Sequence, residues 1–594
     1  MRSLAIALLT AFPLLAAPDG DSPAPDFTLT DLSGRAVTLS SLKGKKAVVL
    51  VFAGIECPRS TSAEARLADL AKKHEKDGAV FYMINSNWSE TADAIAERVK
   101  KVGFPLPVLK DPQNKVADLY KVEVQPTAIV LDADLRIRYR GMIDDHKTEE
   151  LVKHAYLRDA VESVLAGKSP ETAETKSVGC AIQRVAAPAK VSEITYAKQV
   201  SRILNQNCVT CHRQGQVAPF SLETYEKAKA WSQEILNTTQ QRSMPPWKPV
   251  SNHGFYYNER RLSDEDMGVL EAWHRGGAPE GDAKDLPPAP KFSDAWMLGK
   301  PDAVLKSEGG FELKAKGRDE YRCYVIPNPF DEDKWVTGVE YHPGNLRAVH
   351  HIIGYLDLGG GSEKKDAADP LPGYKSDGSG PGILPSGSLA GWAPGNQPRM
   401  LPEGTARLLR KGECLVLETH YHKTGRPEVD EGAQVALYFA KEPVKRQLHV
   451  HMIINPLVNI PAGAEDHKMN AMWTVPQNIH ALDVMPHMHL IGRNISVVAT
   501  FPDGTARDLV VIKDWDFNWQ ETYQFKEPMA MPRGTRVRLE ARYDNSANNP
   551  NNPSNPPRNV RWGEQTTDEM CIAFVAFTND RQDLTKSKSA EDDK

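Results

Sequence analysis

The sequence predicts three fold classes in series: an α/β domain, a small all-α domain, and a long all-β region with room for two sandwiches. Three observations predict it. Strand and helix signals alternate through residues 26–167, helical periodicity follows over 191–282, and beyond the proline-rich stretch 286–290 short apolar runs alternate with Gly/Pro/Asn turns to about residue 577. At 594 residues, and roughly 150 per domain, about four domains are expected. A hydrophobic content of 40% and a charged content of 25% are ordinary for soluble globular domains. The net charge of −5 gives no basic face and argues against a nucleic-acid partner. Seven cysteines are too few for a disulfide-built scaffold, so each carries its own meaning. Of the 17 histidines, 11 fall between His342 and His489, which points to metal chemistry.

The chain opens on Arg2 and an apolar run over 4–17 that ends in small residues. The run is short for a membrane span, which needs about 20 residues, so a signal peptide over 1–17 is expected, with a retained anchor as the other reading. Export would place the mature chain in the periplasm or outside the cell, with no transmembrane segment. The α/β domain is expected over 23–167, from the strand run 47–53, a helix with Leu67, Leu70 and Ala71 on one face, and the strand 79–84. Ser, Pro, Thr, Glu and Ala dominate 168–190, a linker carrying the isolated Cys180. The helical domain is expected over 191–285 and a Pro-rich linker over 286–300. Sandwiches follow over 301–440 and 441–580, then a charged tail over 581–594.

Cys57 follows the first buried strand and precedes a helix, and a helix N-terminus stabilises a thiolate. Pro126 precedes the strand 128–131, where a cis-proline would bring backbone next to that cysteine. Together these resemble the thioredoxin-like redoxin and peroxiredoxin group over about 140 residues. In Cys57-Pro58-Arg59-Ser60 a serine stands where a dithiol motif has its second cysteine. The resemblance then implies either one-cysteine peroxide chemistry or a partner elsewhere, for which Cys180 is the nearby candidate. A redox domain kept only for packing or docking is the competing reading.

Cys208-Val209-Thr210-Cys211-His212 is a c-type haem attachment pattern, in which two thiols add to vinyl groups and the histidine is an axial ligand. A zinc half-site would also use two spaced cysteines, but no second pair is available. The region resembles small cytochrome c domains through these residues and Met244-Pro245-Pro246-Trp247. Met244 is the expected second axial ligand, with His253 and His274 as competitors.

His420 and His422, and His487 and His489, are spaced i, i+2, which on a strand places both imidazoles on one face. His350 and His351 are adjacent and would point to opposite faces, so both serve one ion only at a twist or strand end. The order of motifs raises the signal. Asp319-Glu320-Tyr321-Arg322-Cys323, Val349-His350-His351, Pro402-Glu403-Gly404, Glu418-Thr419-His420-Tyr421, Pro486-His487-Met488-His489 and Thr567-Asp568-Glu569-Met570-Cys571 occur in sequence. This resembles the copper type II, ascorbate-dependent monooxygenases, the group of peptidylglycine α-hydroxylating and dopamine β-monooxygenases, over about 260 residues. The resemblance implies jelly-roll-type sandwiches and an electron-storing copper on His350, His351 and His420. It implies an oxygen-binding copper on His487, His489 and Met570, across a solvent-filled cleft. A thioether selects Cu(I), the form that reacts with dioxygen, and three imidazoles serve both oxidation states. His422, His449, His451 and His480 are left over as polar surface, although His449-Val450-His451 repeats the chelating spacing. Cys323, Cys414 and Cys571 read as buried thiols, or Cys323 with Cys414 as one disulfide, and Tyr543 takes the place of the family's partner for Cys571.

The whole reads as an exported copper monooxygenase that hydroxylates a C–H bond of a small substrate with O2, using two copper ions and one covalent haem c. Electrons would come from ascorbate or another external one-electron donor, entering through the haem. The other reading is an exported haem and copper electron-transfer protein, or a thiol peroxidase, without hydroxylase activity. In the peptide-amidating branch an Arg two residues before His-x-His, and an Asn and a Tyr after the methionine, bind a carboxylate. Here Met485, Ile572 and Phe574 stand at those positions, so glycine-extended peptides are not expected as substrates.

Overall fold

The computed structural model describes residues 23–184, 193–214, 216, 218–250, 255–290, 296–376, 380–563 and 565–586. The expected signal peptide over 1–17, His253 and residues 587–594 of the tail lie outside these. The chain divides into two units, Met1–Lys147 with Val152–Ala186, and Thr148–Leu151 with Ala187–Lys594.

The first unit is built on a seven-stranded sheet in which the interior strand Ala47–Phe52 is buried along its whole length. It pairs parallel with Ala79–Asn85 on one side and antiparallel with Thr127–Asp132 on the other. Because strand side chains alternate, Ala47, Val49 and Val51 enter one core while Val48, Leu50 and Phe52 enter a second on the opposite face. Helices Pro58–His74 and Tyr156–Leu165 cover the first of these through Leu67, Leu157 and Val161. This is the expected thioredoxin-like α/β layer arrangement. Residues 173–183, read from composition as linker, are laced onto it: Arg140 N donates to Ala173 O, Thr175 N to Arg140 O, and Cys180–Ala181 pairs with Val124–Gln125.

In the second unit, residues 193–285 form short helices, Ser201–Asn207, Tyr225–Ala230, Ser232–Gln240 and Asp264–Arg275, around the buried Trp231 and Trp273. Each of the last two aromatic side chains is too large to be shielded by one short helix, so the segment depends on helix-to-helix packing. Residues 247–250 and 255–258 leave the helices and join the β region. Val250 N donates to Val511 O, Tyr257 N donates to Gln524 O, and Trp247 and Tyr256 enter the core of the second sandwich.

The β region is two sandwiches that share one eight-stranded sheet. A five-stranded sheet, centred on the fully buried strand Cys414–Tyr421, faces the first half of the shared sheet across a core containing Ile352, Leu417, Val435 and Leu437. A four-stranded sheet faces the second half across Val484, Ile495, Leu539 and Val575. The halves meet where Thr405 and Ala406 pair in parallel with Arg446 and Gln447. Among the described residues no helix is long and apolar enough to cross a membrane.

Candidate metal centres and cysteine site

The strand Val349–Asp357 pairs with Cys414–Tyr421, and its register slips between Val349 and His351: Val349 faces Tyr421 while His351 faces His420. The bulge inserts His350 as an extra residue, which lets adjacent histidines turn to one side as a regular strand forbids. His350, His351 and His420 each offer a ring nitrogen, and these atoms lie within 4.8 Å of one another. His350 Nδ1 stands 3.2 Å from His351 Nδ1. Burial, and then the neighbouring imidazoles, hold the pKa of both well below the ordinary value, so both keep a neutral ring with a lone pair.

His420 is tied from behind. Its Nε2 meets Asp319 Oδ2 at 3.0 Å and its ring stacks on Tyr321 at 4.2 Å, while Nδ1 is buried without a hydrogen-bond partner. Burial would raise the Asp319 pKa, but His420, His422 and Lys423 outweigh it and hold the carboxyl below its usual range. A carboxylate on one ring nitrogen and an orphaned second nitrogen is the arrangement a metal-binding histidine needs.

The second cluster lies at the end of strand Ile479–His487, which pairs antiparallel with Ile572–Asn579. Met485 faces Phe574 and His487 faces Ile572, where the paired segment ends, and Met570 precedes Ile572 by two residues. The His487 and His489 rings are 5.0 Å apart and nearly perpendicular. His487 Nδ1 meets Gln520 Oε1 at 2.5 Å and His489 Nδ1 meets Asp568 O at 3.2 Å. Oxygen acceptors at both Nδ1 atoms fix protons there, which leaves the Nε2 lone pair of His487 for a ligand, while the His489 ring also hydrogen-bonds the Gln565 backbone. Glu569 clamps the turn: its carboxylate accepts from the backbone N–H groups of His489, Ile491 and Met570, and Trp515 Nε1 donates to His489 O. Full burial pushes the Glu569 carboxyl up to about 8 despite those bonds.

Neither Gln520 nor Phe517 was singled out in the sequence, since neither belongs to a spaced motif. The Phe517 ring stacks on His350 at 5.0 Å and meets His489 edge-on at 5.9 Å, so one side chain touches a histidine of each cluster. The resemblance implied a solvent-filled cleft between the clusters, and Phe517 is a side chain that touches a histidine of each. Of the histidines left over, His451 stacks on Trp473, His449 packs on Phe577, and His480 bonds Asp580. Cys323 faces Glu418 in the register, four residues from Cys414, a separation of about 13 Å that no disulfide spans. The two are free thiols. Tyr543 lies against Cys571, and its hydroxyl donates to Met570 O.

Cys208, Cys211 and His212 lie on the turn after helix Ser201–Asn207, where Cys211 N and His212 N both donate to Cys208 O. His212 Nδ1 meets Phe220 O at 3.2 Å, which again leaves Nε2 available. Met244 is half-buried, with its N–H donating to Thr238 O. His274 Nδ1 is taken up by Ser232 Oγ. Arg260 is close enough to Cys211 for their charges to interact, and it pairs with Glu521, the residue after Gln520.

In the first unit Cys57 caps helix Pro58–His74 and is fully buried, with Sγ 3.6 Å from Gln125 O and 2.7 Å from Cys180 Sγ. Burial would raise its pKa, but hydrogen bonding from Cys180 and then Ser60 outweighs this and lowers it to about 7. Gln125–Pro126 is a cis peptide, as expected.

A thioredoxin-like unit with a low-pKa cysteine, and an all-β region bearing two inward-facing histidine clusters, define an oxidoreductase of several domains. Comparison with known proteins places its two ends. The AhpC/TSA family profile matches residues 21–140, and the profile for the copper type II ascorbate-dependent monooxygenase C-terminal domain matches residues 448–594. Peroxiredoxin Q of Sedum lineare chloroplasts is 38% identical over 97 residues, which are 16% of this chain and 50% of that protein. The chain therefore spans half the length of that relative. The thiol-disulfide oxidoreductase ResA of Bacillus cereus is 31% identical over 128 residues, 22% of this chain and 72% of that one. A hypothetical protein of Sinorhizobium meliloti, known from its crystal structure, is 31% identical, with 29% of this chain and 97% of that one covered at a TM-score of 0.27. Through its first unit the chain belongs to the AhpC/TSA redoxin family, and its last region is a copper type II monooxygenase C-terminal domain.

Proposed function

We propose that the chain is an exported copper monooxygenase that hydroxylates a C–H bond of a small molecule. His350, His351 and His420 would hold one copper and His487, His489 and Met570 the other. The donor sets fit: three imidazoles with a carboxylate behind one of them suit either oxidation state, and two imidazoles with a thioether suit Cu(I). Bound copper would supply electron storage at the first set and oxygen activation at the second. The chain's own residues orient the ligands. Asp319 and Tyr321 fix His420, Gln520 fixes His487, and Glu569 and Trp515 fix the turn carrying His489. Residues directly opposite in an antiparallel pair share a face, so Met485, Ile572 and Phe574 surround His487 with apolar side chains. That surface gives a carboxylate no donor and favours an apolar substrate over a glycine-extended peptide.

Cys208 and Cys211 would carry a covalent haem c, with His212 as one axial ligand and Met244 as the other. The haem would supply one-electron transfer from an external donor, supplementing or replacing ascorbate. Cys57 would be the nucleophile of the redoxin domain.

The observation that carries this reading is the three-histidine cluster, whose ring nitrogens lie within 4.8 Å of one another and in which His420 has one nitrogen tied to Asp319 and the other without a partner. Metal analysis on protein matured with haem should give two copper ions and one haem per chain. Oxygen uptake should then depend on an aromatic or aliphatic substrate. Zinc in place of copper, from copper-replete cells, would sink the reading. The Phe517 ring, which touches a histidine of each cluster, favours a second reading, a haem and copper electron carrier without hydroxylase activity. Two bound copper ions with oxygen uptake indifferent to every substrate would select it.

A further inference from the structure

Cys180 is not on a free linker. Its strand, Cys180–Ala181, pairs antiparallel with Val124–Gln125, the residues that lead into Pro126, so that Gln125 faces Cys180. Hydrogen bonds fasten the flanks: Ile182 N donates to Glu123 O at 2.8 Å, Gln183 N to Asn87 Oδ1 at 3.0 Å, and Asn114 Nδ2 to Gln183 O at 3.1 Å. Upstream, Ser177 Oγ bonds Thr127 Oγ1. Ile182 is buried in the same core as Phe52 and Leu131. The fit is tight at Gly179, where a Cβ would stand 2.0 Å from Gln125 O, so only glycine lets the strand seat this closely.

We propose that residues 177–183 are an internal redox partner strand, seated on the edge that leads to Pro126 so that Cys180 stands as the second thiol of a Cys57–Cys180 dithiol/disulfide couple. The inference concerns the redoxin unit alone and stands whether or not the copper reading does. Ser60 denies Cys57 a second sulfur within its own helix, and the strand supplies one from 123 residues away. Because this strand already pairs with Val124–Gln125 and Cys57 is fully buried, an extended protein partner has no free edge there. Hydrogen peroxide, small enough to need no strand edge, serves as the co-reactant. The Cys57 thiolate takes one peroxide oxygen, the O–O bond breaks, and hydroxide leaves, giving a sulfenic acid. The Cys180 sulfur then attacks the Cys57 sulfur, the S–O bond breaks, and water leaves with the Cys180 proton. In sum, two thiols and one hydrogen peroxide become one disulfide and two waters, and an external dithiol would return the two electrons.

The test uses the full chain, reduced and then exposed to one equivalent of hydrogen peroxide with dimedone present as the sulfenic acid trap, followed by alkylation and peptide mapping. Wild type should yield a Cys57–Cys180 cross-linked peptide with little dimedone on Cys57. Cys180→Ser should shift the product to a Cys57–dimedone adduct. Gly179→Ala keeps both thiols but unseats the strand, and should slow cross-linking at least tenfold while the adduct appears. A wild-type adduct on Cys57 with Cys180 still alkylated would overturn the proposal without reference to any variant. So would cross-linking in folded Gly179→Ala at the wild-type rate.

Discussion

Asp319 touches no metal position, yet it decides how His420 presents its free nitrogen. The carboxylate at 3.0 Å from Nε2 holds the ring against Tyr321 and leaves Nδ1 toward the cluster. Losing such a partner typically costs about ten- to a hundredfold in metal affinity. Asp319→Asn should therefore weaken copper by that order at the three-histidine set and leave the methionine-bearing set unchanged, read by chelator competition against Met570→Ala, which should do the reverse. A second residue-scale prediction concerns Cys57. Its pKa is lowered to about 7, and only the thiolate is nucleophilic, so alkylation of the reduced protein should rise with pH through about 7 and level off above it. Burial pushes Cys323, Cys414 and Cys571 the other way, so these should stay slow over that range. Identical pH profiles for all four would remove the case for an activated Cys57. The histidine and methionine positions were legible in the sequence because their spacings are local. Gln520 and Phe517 were not, since Gln520 lies 33 residues from the His487 it orients and nothing in its own neighbourhood marks it.

At the scale of elements, pairing register accounts for what composition could not show. Adjacent His350 and His351 required an irregularity, and the sequence said so, but only the pairing with Cys414–Tyr421 locates the bulge. The same strand separates Cys323 from Cys414, which proximity in the motif order had allowed to pair. Residues 173–183 read as linker because Ser, Pro, Thr and Glu avoid cores, whereas Ala173, Thr175 and Ile182 are held by backbone-to-backbone hydrogen bonds that depend little on side-chain type. The helical segment carries a further surprise in Trp247, a loop residue by sequence. It packs edge-on against Tyr256 and Tyr523 within the core of the second sandwich. Truncating a buried aromatic costs about 3–5 kcal/mol. Trp247→Ala should lose stability on that scale and expose 247–250 and 255–258 to proteolysis before the sheets unfold; a variant with an unchanged denaturation midpoint would show that this seam contributes little.

Across the whole second unit, one loop gathers the three features that the motifs presented separately. Trp515 holds the His489 carbonyl, Phe517 touches both His350 and His489, Gln520 orients His487, and Glu521 pairs with Arg260, whose charge acts on Cys211. Three imidazoles suit electron storage, so the three-histidine set is one place for electrons from a haem to arrive. The contacts offer another. Arg260 pairs with Glu521, the adjoining Gln520 bonds His487 of the methionine-bearing set, and Phe517 of the same loop stacks on His350. Fusion alone raises effective concentration, and the buried Arg260–Glu521 pair holds the segment bearing Arg260 on the loop that carries Gln520. With haem attached as proposed, the haem is reduced anaerobically, oxygen and substrate are added, and its absorbance is followed. Reoxidation should stay fast in His350→Ala and slow in His487→Ala and in Gln520→Ala, with copper content and its electron paramagnetic resonance signal confirming which set each variant retains. Slowing confined to His350→Ala would restore the three-histidine set as the point of entry, and reoxidation indifferent to all three variants would mean that the haem and the copper sets serve separate partners.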